Sequence, residues 1–441
     1  MTYKEVCDYL FQQTPSFEKN GRTGFNEGLA NTLALDEHYG HPHRQFKTIH
    51  VAGTNGKGSV SHTLAAQLQA QGLRVGLYTS PHLIDFRERI RINGEMIPEA
   101  RVISFVDDFL KWNTPLSSTP PLLLEGAGER LTPSFFELTT AMAFKYFAEE
   151  QVDIAVVEVG LGGRLDCTNI ITPVLSIITN ISLDHTDMLG DTLALIAAEK
   201  AGIIKPQVPV VIGEATAETR PVFEQVAEER HAPITFAEDS PIVASAIPTT
   251  TGGMHYTLTD GQVFDGELGG YYQAKNTNTA LHAIRQLQVL GIIGDTDYDA
   301  FMHIGTTTGL MGRWQKMAEQ PTIVCDTGHN TGGWHYLSQQ LQAVECRQLR
   351  IVFGMVSDKD VHTVVSMLPH KAIYYFTKAS THRALSEQLL KTMGDEQGLT
   401  SRCFPTVAEA FAAARGDASP DDCLFVGGST YLVADWLKTA F

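Results

Sequence analysis

Short apolar runs alternate with helically spaced apolar residues along most of this chain. Runs at 48–51, 75–78, 154–159, 174–179 and 208–212 are β-branched and aliphatic, and predict buried strands. Apolar residues recurring every three or four positions predict helices over 135–149 and 193–201. Val60, Leu64, Ala65 and Leu68 put another helix over about 56–71. Strands alternating with helices predict a parallel sheet covered on both faces. The stretch 242–268 breaks that rhythm, with turns at Thr251-Gly252-Gly253 and Asp260-Gly261, and reads as a small antiparallel insert. A helix over 276–290 follows it. Near Gly312 a second series begins, with strands at 322–325, 350–353, 373–376 and 423–426. Its size, on the order of 130 residues, suits a compact Rossmann-like unit. The linker falls within 306–311, and the Pro/Ser/Thr-rich stretch 113–121 reads as a surface loop.

The first strand runs into Gly53-Thr54-Asn55-Gly56-Lys57-Gly58-Ser59 and then the helix. Glycines let backbone N–H groups and the helix N-terminus face a polyphosphate. Lys57 adds a mobile positive charge, and Ser59 reaches a magnesium ion held by the phosphates. Gly58 stands between lysine and hydroxyl, so the loop is a variant of the usual phosphate-binding motif. Its order of strand, loop and helix predicts ATP binding.

Composition narrows the class. Hydrophobic residues make up 43% and charged residues 19% of 441, which fits a globular enzyme of two or three domains. A net charge of −17 without a basic stripe argues against a nucleic-acid partner. An acidic protein that binds ATP must gather its cations locally, and Lys57, Arg164, Lys200 and Arg313 lie in glycine-rich or motif-like surroundings. No apolar run approaches a membrane span, and Met1-Thr2-Tyr3-Lys4-Glu5 lacks a signal-peptide layout. A cytoplasmic location is the expectation. The six cysteines form no CxxC pair and are expected to be reduced thiols.

Several loops at expected strand ends carry chemistry. Glu158 ends an apolar strand at the sheet edge that holds the phosphate loop, where a carboxylate either holds Mg²⁺ or faces solvent as a surface acid. Asp184, His185 and Asp187 follow the next strand; the imidazole is a metal ligand, an acid–base group or an exposed loop histidine. Ser80 either presents its hydroxyl to the metal or belongs to a Ser-Pro turn. Gly160-Leu161-Gly162-Gly163 forms no GxGxxG, which weakens a NAD reading. In the second unit, Asp326 sits where an acid bonds a nucleotide ribose. Asn330 also fits a helix N-cap, and Arg313 at the junction either reaches ATP or braces the linker.

With these residues in order, the chain resembles the folylpolyglutamate synthase/dihydrofolate synthase family, a branch of the Mur ligases. The shared motifs are 50–59, 78–83 with Glu88-Arg89-Ile90, 158–169, 184–190, 199–203, 312–315, 326–330 and 354–360. The resemblance implies an α/β architecture: a P-loop, parallel-sheet ATPase domain of the Mur ligase central type over 1–306, and a C-terminal Rossmann-like glutamate ligase domain over 312–441. It implies that Thr54, Asn55, Gly56, Lys57, Gly58 and Ser59 bind the ATP phosphates, and that Asn276, Arg313 and Asp326 bind the nucleotide across a cleft. Ser59, Ser80, Glu158 and His185 would hold Mg²⁺, with a monovalent cation as a further companion. Lys200 matches a lysine that is carbamylated in the family. His329 and Ser429 would place the incoming glutamate, with Lys57, His185, Lys200 and His329 forming the catalytic set. Ser134, Leu165, Asp166 and Cys167 match positions that line the pterin-substrate pocket.

The implied activity is ATP-dependent addition of L-glutamate to dihydropteroate, to the γ-carboxylate of a reduced folate, or to both, through an acyl phosphate. A monomer with small-molecule substrates, no nucleic acid and no membrane is expected. Two departures stand out: Gly328 and Thr331 stand where the family often has Ala and Pro around His329-Asn330, and 20–31 matches its N-terminal substrate loop poorly. Competing readings are a cell-wall Mur ligase acting on a UDP-linked peptide, a nucleotide-dependent switch and a metal-dependent hydrolase. The short stretch before the phosphate loop, the dense motif set and the lack of a compact His/Asp cluster oppose these in turn.

Overall fold

The computed structural model describes residues 1–12, 14–15, 28–114 and 131–440. The expected loop 113–121 and the divergent stretch 20–31 fall largely outside the described residues.

The first sheet contains β1 (Lys47–Ala52), β2 (Val75–Tyr78), β3 (Ile90–Ile92), β4 (Glu95–Met96), β5 (Ile154–Glu158), β6 (Leu175–Ile178), β7 (Val210–Ile212) and β8 (Ile234–Phe236). Its order is β4-β3-β2-β5-β1-β6-β7-β8. Pairing is parallel from β2 to β8, and the central strands β1, β5 and β6 are buried on both faces, so they read as continuous apolar runs. The β3–β4 edge is antiparallel, a departure from the all-parallel expectation. Asn93 and Gly94, both at positive φ, make the tight turn between those two strands.

The helix Lys57–Ala70 is buried almost all round, between this sheet and the helix Gln273–Val289. Its Gly, Ser and Ala positions allow that close approach, which explains its weak amphipathic pattern. The other face of the sheet packs on the helices Tyr3–Gln12, Glu99–Trp112 and Phe135–Glu149. The antiparallel insert is β9 (Val243–Pro248), β10 (Met254–Leu258) and β11 (Val263–Gly266).

The last sheet contains β12 (Gln315–Glu319), β13 (Thr322–Asp326), β14 (Leu349–Phe353), β15 (Ile373–Phe376), β16 (Thr400–Cys403) and β17 (Cys423–Gly427). Its order is β12-β13-β17-β14-β15-β16, parallel except for β12. Apolar clusters cover both of its faces. Of the stretch 306–311, the first part belongs to the helix Ile304–Thr308, and the chain then turns through Gly309 and Gly312 at positive φ. Among the described residues, no helix is long and apolar enough to cross a membrane.

The loops after β1, β2, β5 and β6 meet the loops after β13, β14, β15 and β17, which is the geometry that builds the site. Gly53 is fixed there by a close approach: at φ 141°, a Cβ would lie 1.9 Å from Thr179 Oγ1. Gly53→Ala is therefore expected to lower stability by about 2 kcal/mol or more, read as a shifted denaturant midpoint.

Candidate active site

The phosphate loop is pinned from β6. Asn180 O accepts from Thr54 N at 2.9 Å, and Asn180 Oδ1 accepts from Asn55 N at 2.9 Å. Thr179 Oγ1 donates to Asn55 O at 2.5 Å. Gly56 takes a left-handed conformation beside Asn276, whose amide oxygen would lie 2.2 Å from any added Cβ. Lys57 Nζ donates to Gly53 O and Thr54 O at 3.1 and 3.3 Å, so the ammonium lies over its own loop. Ser59 is buried and its hydroxyl accepts from Gln273 Nε2 at 3.2 Å, while Asn276 Nδ2 donates to Gln273 Oε1 at 2.9 Å. The helix Gln273–Val289 thus holds both the hydroxyl and the loop glycine. Gln273 was not anticipated from sequence.

Glu158 is 3% exposed at the end of β5. Burial pushes its carboxyl up, and nearby Lys57, the Ser80 N–H and Arg313 oppose that shift. Ser80 N donates to Glu158 Oε2 at 3.3 Å, so the loops after β2 and β5 bring these two candidates together. His185, in the left-handed region ahead of the short helix Thr186–Leu189, titrates at about 3. Burial lowers it most, Asp184 opposes that shift, and Lys359, His329 and Lys57 add to it. Its imidazole is neutral at physiological pH, the form that ligates metals. Asp187 is exposed.

Lys200 is 5% exposed, and burial together with Lys57 lowers its ammonium to about 7. Arg164, grouped with it on sequence grounds, instead forms an ion pair with Glu199 and stays largely exposed. The expected concentration of cations therefore reduces to Lys57, Lys200 and Arg313.

Arg313 reaches across to the phosphate loop, where a Cβ on Gly58 would sit 3.3 Å from its guanidinium. It also donates to Thr327 Oγ1 and to Gly312 O, the contacts that brace the junction. Asp326 is buried at the end of β13 and accepts from Tyr272 OH at 2.5 Å, Trp314 N at 2.8 Å and Gly328 N at 2.7 Å. Burial raises its carboxyl against the Tyr272 hydrogen bond and the Arg313 charge. Asn330 Oδ1 caps the helix Thr331–Ala343 by accepting from Gly333 N at 2.9 Å, as its spacing suggested. Its Nδ2 donates to Asn55 Oδ1 at 2.9 Å and to Asp184 Oδ2 at 3.0 Å, which cap spacing alone does not reveal.

Asp184 is where the two halves converge. Lys359 Nζ lies 2.5 Å from Asp184 Oδ1, and His329 Nε2 is 3.7 Å from Asp184 Oδ2. Burial alone would raise this carboxyl; the neighbouring His329 imidazole and the Lys359 charge hold it well below the usual carboxylate range. Sequence reasoning placed Asp184 in the right loop but gave it no partner. The motif 354–360 held the signal for Lys359. Asp184→Asn removes the charge that faces Lys359 and is expected to lower turnover about 10- to 100-fold, with a smaller change in ATP KM, checked by steady-state kinetics.

One cavity of about 650 Å³ runs from the phosphate loop to both ends of the site. Thr54, Lys57, Ser80, His185, Lys200, His329 and Ser429 line it, together with Ser134, Leu165, Asp166 and Cys167. Asn55, Gly56, Gly58, Ser59, Glu158, Asn276, Arg313 and Asp326 lie outside its lining. The substrate candidates have structural duties too. Ser134 and Glu137 form a reciprocal cap on the helix Phe135–Glu149. Asp166 accepts from Leu161 N at 2.9 Å and Thr168 N at 3.0 Å, which shapes the glycine-rich loop. Cys167 Sγ lies 3.3 Å from Thr140 Oγ1. Ser429 is buried, and its hydroxyl accepts from Leu432 N at 3.2 Å. Glu88 gathers the N–H groups of Leu83, Ile84 and Asp85, each at 2.8 Å, and Arg89 Nε donates to His82 Nδ1 at 2.7 Å. That explains the Glu88-Arg89-Ile90 motif as the brace of the loop after β2.

Comparison with known proteins matches this layout half by half. The Mur ligase middle domain matches residues 118–284, and the Mur ligase glutamate ligase domain matches 312–430. A probable bifunctional folylpolyglutamate synthase/dihydropteroate synthase of Haloferax volcanii is 34% identical over 99% of this chain, which spans half of that protein's length. The folylpolyglutamate synthase of Lacticaseibacillus casei is 33% identical over 98% of this chain and 97% of its own length. A bifunctional folylpolyglutamate synthase/dihydrofolate synthase from Yersinia pestis, solved in complex with AMPPNP and Mn ion, superposes with a TM-score of 0.79 at 29% identity, covering 100% of this chain and 98% of that one. Two Mur ligase halves meeting over one shared cavity, in a chain this similar to a whole relative, place it in the folylpolyglutamate synthase/dihydrofolate synthase family of Mur ligases.

Proposed function

We propose that the chain is an ATP-dependent ligase that adds L-glutamate to dihydropteroate, to the γ-carboxylate of a reduced folate, or to both, releasing ADP and phosphate. The observation that carries this reading is the single cavity joining Lys57 to the pterin-pocket residues on one side and to His329 and Ser429 on the other. A carboxylate does not condense with an amine unaided, because oxide is a very poor leaving group. The γ-phosphoryl group of ATP passes to the acceptor carboxylate, and the glutamate amine then displaces phosphate from the acyl phosphate to form the amide. In this reading residues 1–306 bind ATP and the pterin substrate, and residues 312–441 present glutamate.

The chain's own groups supply positioning and charge. Backbone N–H groups of Gly56 to Ser59, at the start of the helix, and the Lys57 ammonium neutralise the phosphates, while Arg313 approaches the same loop from the second half. Asn276 and Asp326 frame the nucleotide. Ser134, Leu165, Asp166 and Cys167 hold the pterin end, and His329 and Ser429 hold glutamate. Contact between Asn330, Lys359 and Asp184 keeps the two halves closed over the cavity, which protects an acyl phosphate from water.

The donors present suit Mg²⁺. Glu158 is a buried carboxylate whose one described hydrogen bond, from Ser80 N, is long at 3.3 Å, and Ser59, Ser80 and a neutral His185 on the neighbouring loops would supply the remaining donors. Bound there, the ion would neutralise charge on the transferring phosphoryl group. A carbamylated Lys200 and a monovalent cation would complete the set. We further infer a cytoplasmic monomer with no nucleic-acid or membrane partner. The test is release of ADP and phosphate by purified protein with ATP, Mg²⁺ and glutamate, supplied separately with dihydropteroate and with tetrahydrofolate. Mass analysis of the products assigns the acceptor, and phosphate release at background with both acceptors would reject the proposal.

A further inference from the structure

The ligase reading places no ligand on the wall where Val356, Lys359, Arg383 and Tyr431 line the cavity from the second half. Arg383 stands out as a cation held in one orientation. Its side chain is 15% exposed; one terminal nitrogen pairs with Asp358, and the other donates to Tyr431 OH at 3.1 Å. The guanidinium carbon lies 5.8 Å from the Tyr431 ring centre. Its backbone is fixed as well. Arg383 O accepts from Ser357 N at 2.8 Å, and Val356 and Ala384 form an antiparallel bridge. The segments after β14 and β15 are thus locked together, and the first of them also carries Lys359 to Asp184.

Of the other charged groups on this wall, Lys438 is exposed to solvent and two more have partners of their own. Lys359 faces Asp184, and Asp435 accepts from Ser380 N at 2.6 Å and Ser380 Oγ at 2.9 Å. Arg383 pairs with Asp358, whose side chain is 38% exposed and so is only partly withdrawn from water. A pre-oriented guanidinium is the side chain best matched to a planar carboxylate, because its fork of N–H groups serves two oxygens at once. Tyr431 lies two residues beyond Ser429, so Arg383 is linked to the N-terminal turn of the helix Thr430–Ala440. The amino acid to be joined has two carboxylates, and His329 with Ser429 accounts for one.

Resting on the ligase reading, we infer that Arg383 binds the side-chain carboxylate of the incoming amino acid and sets the preference for an acidic substrate. Asp358 and Tyr431 act as positioning residues that aim the guanidinium. A guanidinium aimed by Asp358 and Tyr431 gives a carboxylate charge-assisted hydrogen bonds that a neutral amide does not match, so the site favours the acid.

The test uses the full chain, with Arg383→Gln and Arg383→Lys measured beside the wild type at saturating ATP and acceptor. Arg383→Gln is expected to raise the glutamate KM about 30-fold or more, to change kcat less than about threefold, and to reduce discrimination between L-glutamate and L-glutamine by a similar factor. The acceptor KM and the ATP KM stay within about twofold. Arg383→Lys keeps the charge without the fork, and is expected to raise the glutamate KM about tenfold even if the glutamine variant proves insoluble. A glutamate KM within about twofold of wild type in the soluble variants overturns the assignment. So does a rise in acceptor KM in place of glutamate KM, which would make Arg383 a reader of the folate tail. A wild type without glutamate-dependent ADP release would reject the ligase reading itself, a result separate from these.

Discussion

Replacing Lys57 by alanine is expected to reduce ligation about 10³-fold or more while the fold survives. The ammonium makes two hydrogen bonds, both to carbonyls of its own loop, and their loss from a half-buried position costs about 1 kcal/mol of stability. The loop itself is held by Asn180, Thr179 and Asn276, none of which depends on the lysine. On the proposed reading, turnover loses a mobile cation that follows charge onto the transferring phosphoryl group. Steady-state rates beside circular dichroism and a melting curve separate the two effects. Undiminished product from Lys57→Ala would remove the central assumption about where ATP reacts.

Lys200 carries the second large effect, and its sign with pH can be worked out. Burial and the Lys57 charge bring the ammonium to about 7, so the amine is mostly neutral above that pH and mostly charged below it. Only the neutral amine attacks CO₂, giving a carbamate anion and a proton. Protein stripped of CO₂ is therefore expected to lose activity and to regain it with bicarbonate, more completely as pH rises through about 7. Lys200→Ala is expected to lose about 10²-fold or more in turnover, with no recovery from bicarbonate. A ¹³C carbamate resonance that appears with labelled bicarbonate in the wild type and is missing in the variant ties the effect to this side chain. If the ammonium itself were the working form, activity would instead fall as pH rises past 7 and bicarbonate would change nothing.

Much of this architecture was legible because its signals are local. Buried parallel strands such as β1, β5 and β14 read as apolar runs, and Glu158 and Asp326 announce themselves as acids at strand ends. β12 and β16 escaped because they are half-exposed edge strands, and QKMAE and TSRC carry no apolar run. The β3–β4 hairpin was overlooked despite its Asn93-Gly94 turn, because two-residue and three-residue strands give no periodicity. The site divides in the same way. Lys57, Ser80, His185 and Lys200 sit in recognisable local motifs. Tyr272 on Asp326 and Lys359 on Asp184 join residues 54 and 175 positions apart, and no spacing rule connects them. Arg164 shows the reverse error, since a cation near glycines looked functional and the fold turned it outward to Glu199.

The seam between the halves is mainly polar, built from Asn330 to Asn55, Lys359 to Asp184 and Tyr272 to Asp326, whereas the apolar clusters sit mostly within one half or the other. Such a seam opens more readily than either interior melts. Warming should then silence the enzyme several degrees before its helical signal falls, and prompt cooling should restore it in full.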